Sequence, residues 1–119
     1  MSLHLTPAML ERAYDYLRVT PPFDRMKLPD ADHLEFVVAA TDEYMGLWSI
    51  TEAGQQRISI STKRVGHTGT LLEVMAHEMI HAHQHETRTD SPRTVHNAAF
   101  RKLAARVCAL HGWDEKAFP

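Results

Sequence analysis

His77, Glu78 and His81 stand in the order His-Glu-x-x-His, a spacing with which a protein can hold a metal ion and activate water. Each residue of an α-helix turns by about 100°, so His81 lies about 40° from His77 on the same face, one turn along. Two imidazoles so placed can share a zinc ion, and the carboxylate between them can address a water on that ion. Two further histidines complete the run HEMIHAHQHE at positions 77–86. His83 falls about 240° round the helix from His77, and His85, though on the right face, rises about 12 Å along the axis. Neither can join His77 at one ion, which leaves His77 and His81 as metal ligands and Glu78 as the catalytic carboxylate.

A catalytic zinc takes three protein ligands and keeps a fourth position for water, so the third ligand must come from elsewhere in the chain. The lone cysteine, Cys108, excludes a Cys-x-x-Cys site. The candidates are His67, Asp90, His96 and His111. Phe100, Leu103, Val107 and Leu110 read as the buried stripe of a helix opened by Ser91-Pro92 or Thr94 and closed at His111-Gly112. Measured from His96, those four lie within about 40° on either side. His96 therefore sits at the centre of the core-facing arc, His111 lies about 60° away at its far end, and Asp90 precedes the helix. His96 is the favoured third ligand. The bare motif does arise by chance in a chain with 9 histidines, and a polar helix face meeting a buried water is the bland alternative.

The surrounding residues weigh against that alternative. Leu71, Leu72, Val74, Met75, Met79 and Ile80 make the segment apolar on nearly all sides, the mark of a helix running through the core. Two histidines and a glutamate are costly to desolvate there unless something binds them. Thr70-Leu71-Leu72-Glu73 has the form of a capping box, which predicts a helix start near Leu71. Ahead of it, Thr6-Pro7 with Met9, Leu10, Ala13, Tyr14 and Leu17 predicts an amphipathic helix ending before Thr20-Pro21-Pro22. Three strands are expected between the helices, at 34–40, 46–51 and 57–62, reading as a small meander. In the third, Ile58 and Ile60 alternate with Ser59 and Ser61, as in a strand with one buried face, and this strand is a candidate exposed edge for an extended substrate. Trp48 and Trp113 read as core residues.

At 119 residues, with 44% hydrophobic and 24% charged side chains, the chain is expected to form a single globular domain over 1–119. No apolar run approaches the roughly 20 residues that cross a bilayer, and a signal sequence is not evident, so a cytoplasmic location is expected, with no membrane partner. The net charge of -2 gives no global reason to expect nucleic-acid binding. Locally, Arg88, Arg93, Arg101, Lys102 and Arg106 stand against Asp90 alone, a distribution that reads first as a solvated helix face and secondly as a basic surface.

The run LLEVMAHEMIHA at 71–82, the spacer to residue 95 and then HNAAF at 96–100 resemble the core of the SprT-like zinc metallopeptidases, whose signature is H-E-M-x-H-A, a polar spacer and H-G-x-x-F. The resemblance covers mainly residues 70–111. It implies a zincin-like α+β fold, in which a small, mostly antiparallel three-stranded sheet packs beside a buried active-site helix, with one helix at each end of the chain. It implies one zinc ion held by His77, His81 and His96, and proteolysis often directed at DNA-associated proteins. Asn97 stands where the pattern has glycine, which leaves the ligand intact. The cysteine zinc ribbon of many members has no counterpart in this sequence, so a nucleic-acid partner does not carry over with the peptidase residues.

The function expected is thus that of a zinc metalloendopeptidase: Glu78 takes a proton from a zinc-bound water as it attacks a peptide carbonyl and passes it to the leaving amine. His85 and Tyr44 are candidates for a second donor to the oxyanion, though each also reads as an ordinary surface or packing residue. A zinc-containing binding or adaptor domain with little peptidase activity is the alternative; Glu78 argues against it, because a purely structural site has no use for that carboxylate and usually has four protein ligands. Hydrolysis of something other than a peptide is a third reading.

Overall fold

Thr6 begins the first helix as its side-chain chemistry predicts. In the computed structural model, which describes residues 4–119, its Oγ1 accepts from the Met9 N–H at 3.2 Å, and Pro7 opens α1, Pro7–Arg18. Leu10, Ala13, Tyr14 and Leu17 form the buried face. The chain turns at Thr20, whose N–H reaches the Leu17 carbonyl at 2.9 Å, and passes through two short 3-10 turns to the sheet. Tyr14 fastens that passage by donating its hydroxyl to the Pro29 carbonyl in the interior.

The three strands are β1, Leu34–Ala39, β2, Gly46–Ile50, and β3, Gln56–Ser61. Their spatial order is β1-β3-β2, not the meander that the sequence suggests. β3 pairs in parallel with β1, from Leu34↔Gln56 to Ala39↔Ser61, and antiparallel with β2, from Gly46↔Ile60 to Ile50↔Gln56, so the sheet is mixed rather than mostly antiparallel. The cause lies in β3 itself. Ile58, Ser59, Ile60 and Ser61 are all buried, and a strand covered on both faces takes the centre of a sheet. The serines do not mark a solvent face: Ser61 donates its hydroxyl to the Thr41 carbonyl and its N–H to Met45, in the segment that carries the chain across the end of β3 to β2. β3 is therefore not an edge, and the edge strand beside the helix that carries His77 and His81 is β2. A tight turn joins β2 to β3, with Gly54 at φ +83 and hydrogen bonds between Thr51 and Gln55 and between Gly54 and Thr51, each at 2.8 Å.

Helix α2 spans Thr68–Thr87 and runs through the core, burying Val74, Met75, Ala76, Met79 and Ile80 completely. It starts before the Thr70 capping box, because the Leu71 N–H already closes onto the His67 carbonyl at 2.9 Å and Thr70 is inside the first turn. Its end is capped by Arg88 in the left-handed region, φ 56 and ψ 41. Helix α3, Ala98–His111, begins later than predicted, with Asn97 as N-cap, and Gly112 ends it at φ 76. Its buried face is Phe100, Ala104, Val107 and Cys108, with Leu110 53% exposed. The architecture is α+β: α1 and α2 pack on each other and on the sheet, and α3 closes over the far end of α2.

Candidate metal centre

His77 and His81 project from one face of α2, ring centroids 5.1 Å apart, as the i, i+4 spacing requires. His96 reaches them from outside any helix, in the loop just ahead of the Asn97 cap, so the helix-face geometry that singled it out does not apply to it. Nonetheless one ring nitrogen from each of His77, His81 and His96 lies within 4.8 Å of the others. Nε2 of His77 and Nε2 of His96 are 3.1 Å apart. Two ligands on a tetrahedral zinc with Zn–N bonds of about 2.0–2.1 Å stand about 3.3 Å from each other, so this pair is already near ligand spacing.

The electrostatics suit a metal. Burial holds the His77 imidazole down at about 4, helped by His81 and His96, and burial with His96 holds His81 at about 4 against an opposing pull from Asp90. Both rings are thus neutral at physiological pH, the form that binds metal. Nδ1 of His77 is buried and makes no hydrogen bond of ordinary geometry, although the Pro119 backbone lies close enough to offset the shift in part. Three ring nitrogens converging on one point, with His77 and His81 held neutral, suit a cation. The donor set therefore fits zinc.

Glu78 is buried in the same cleft, 4% exposed. Burial raises its carboxyl to about 8, with a backbone hydrogen bond from Trp48 acting in the lowering direction. β2 comes very close here: a Cβ on Gly46 would stand 2.5 Å from Val74 Cγ1 and 3.0 Å from Glu78 Oε2. The cleft, of about 480 Å³, is walled by Gly46, Leu47 and Trp48 on one side and by Asp90, Ser91, Pro92 and Val95 on the other. Trp48, read from sequence as core, is a cleft wall. Trp113 is half-buried, stacked between His111 and Phe118.

The other candidates lie elsewhere. His83 turns away and pairs with the Lys27 carbonyl at 2.9 Å. His85 packs on the far side of Trp48, centroids 5.2 Å apart, and lines a separate cavity with Gln56 and Glu86. Tyr44 lines no part of the metal cleft. His111 contacts Thr20 Oγ1 at 3.3 Å, His67 sits at the opposite end of α2 from His81 as its N-cap, and Asp90 lines the cleft without joining the three converging nitrogens. Two contributors escaped sequence reasoning. Gly46 gives no signal in a strand without its packing partner. Phe100 reads as core and as the last residue of the HNAAF resemblance, with no sign of what it touches; its ring lies 4.9, 4.6 and 4.6 Å from those of His77, His81 and His96, a common support for all three.

No helix among the described residues is long and apolar enough to cross a membrane. No curated protein matches the chain. The profile of the SprT-like family matches residues 24–117.

Proposed function

The chain belongs to the SprT-like family, and from that premise we propose that it is a zinc-dependent metalloendopeptidase. The observation that carries this reading is the convergence of three histidine nitrogens within 4.8 Å, with the Glu78 carboxyl buried in the same cleft. His77, His81 and His96 would hold the ion through one ring nitrogen each. Bound zinc supplies Lewis acidity toward a peptide carbonyl and acidifies water to near neutrality. Glu78 accepts the proton of the attacking water on a carboxylate oxygen and delivers it to the leaving amine nitrogen. Burial raises that carboxyl to about 8, and positive charge held beside it would return it to the carboxylate that accepts the proton.

Substrate binding follows from the sheet order. β2 is an edge strand that forms one wall of the cleft, and its outward backbone groups can pair with an extended peptide. Leu47, 43% exposed, and Val95, 62% exposed, flank the mouth and offer apolar contact to side chains beside the scissile bond. The test is metal dependence. Casein cleavage should disappear on chelation and return with one equivalent of zinc; equal cleavage by the stripped and the reloaded protein would contradict the reading.

A further inference from the structure

His96 poses a mechanical problem. It is exposed and lies in irregular chain, yet its imidazole must stay in register with two ligands fixed on a buried helix. Whatever holds it has to act through the backbone.

Gln84 occupies a fully buried place near the end of α2. Its side-chain amide donates to Asn97 Oδ1 at 3.0 Å and to the Thr89 carbonyl at 3.3 Å. Asn97 Nδ2 donates to the same Thr89 carbonyl at 2.9 Å, and Asn97 Oδ1 also receives the Phe100 N–H at 2.9 Å. The Thr89 N–H returns to the Gln84 carbonyl at 2.9 Å. The loop from Thr89 to Asn97 is therefore tied shut at both ends onto one buried side chain. Both atoms facing the Gln84 amide nitrogen are oxygens that can only accept, so its orientation is determined: reversed, three oxygens would oppose one another. The arrangement leaves Gln84 Oε1 buried without a partner. An apolar residue would avoid leaving such an oxygen buried without a partner, so the bridge is what a glutamine provides here. Asn97 adjoins His96 directly, and Arg101 Nη1 takes the His96 carbonyl at 3.1 Å from the other side. Asn97 itself has φ -71 and ψ -179, an ordinary extended backbone that accepts a side chain without strain.

We infer that Gln84 and Asn97 are positioning residues for the third metal ligand, a latch between the two helices that sets where His96 stands. The inference rests on His96 being a ligand, as proposed above. It extends that reading by making zinc affinity depend on two side chains that do not touch the ion.

The test is a double-mutant cycle on zinc affinity in the full chain, read by competition with a chromogenic chelator. Asn97→Ser keeps a hydroxyl to cap α3 but cannot span to Gln84. It should weaken zinc binding about ten- to a hundredfold, the usual range for groups that orient a ligand. In a His96→Ala background the same change should cost less than about twofold, because the latch has nothing left to position. Gln84→Met, which fills the buried site without its amide, should behave in the same way. An affinity within about twofold of wild type for both latch variants would overturn the inference, and so would an equal loss in both backgrounds, which marks general destabilisation. Failure of the underlying reading looks different: His96→Ala itself would bind zinc as tightly as wild type.

Discussion

Nε2 of His77 and Nε2 of His96 stand 3.1 Å apart, although one belongs to a buried helix and the other to an exposed loop nineteen positions further along the chain. At that separation one ring's N–H can donate to the other ring's nitrogen, and the same two nitrogens stand near the spacing of two ligands on one ion. Burial resists protonation of His77. A metal ion would take a lone pair from each ring, and the third nitrogen, from His81, completes the set.

His96→Ala should lose most of its bound zinc, while His85→Ala should keep a full equivalent, because His85 faces a different cavity beyond Trp48. Elemental analysis after gel filtration distinguishes the two. Loss of zinc from His85→Ala, or its full retention by His96→Ala, would place the third ligand elsewhere.

The metal-free protein should be most stable near pH 6.5. His77 and His81 have folded values near 4 against an ordinary 6.5, so their contribution is complete above about 6.5 and is lost as pH falls toward 4. Glu78 has the opposite sign: raised from 4.5 to about 8, it contributes at low pH and its contribution disappears as pH rises between those values. Two protons against one give a net rise in stability up to pH 6.5 and a net fall from there to about 8. Melting of the chelator-treated protein should show this maximum. Glu78→Gln should remove the fall on the alkaline side; an equally steep decline in that variant would show that Glu78 is not its source.

Gly46→Ala should uncouple catalysis from metal binding. The new Cβ would meet Val74 Cγ1 at 2.5 Å and Glu78 Oε2 at 3.0 Å, so β2 or the carboxylate must shift, while the three histidines are untouched. A misplacement of about 1 Å in a reacting group can cost a hundredfold in rate. Zinc affinity should stay within about threefold of wild type and kcat should fall by at least about tenfold. Gly66→Ala, where an added Cβ meets nothing within 4 Å, is the control and should leave both unchanged. Wild-type kcat in Gly46→Ala would show that the close approach has no catalytic consequence.

Much of this is legible in the residues because it is local. Thr6 and Pro7 announce α1, the apolar residues on nearly all sides of 71–82 announce a buried α2, and the turn per residue separates His83 from His77 and His81. What depends on partners is not legible in that way. Alternation of Ile58 and Ile60 with serines looks like a half-exposed strand, since nothing in the pattern discloses that Ser61 finds its acceptor at Thr41 and that β1 and β2 close both sides of β3. His96 has the residue type and approximate place of a third ligand, but its position comes from a cap and a latch rather than from a helix face. Gly46 and Trp48 become site residues only once β2 lies along α2.

The measurement that bears most directly on the central claim is casein turnover by Glu78→Gln beside wild type, both carrying one equivalent of zinc. The substitution keeps the side chain's size and leaves the three imidazoles in place, but removes the group that moves the proton. Zinc content should be unchanged and turnover should fall by about a hundred- to ten-thousandfold, the range attributed to a positioned general base. Equal turnover by the two zinc-loaded proteins would contradict the account.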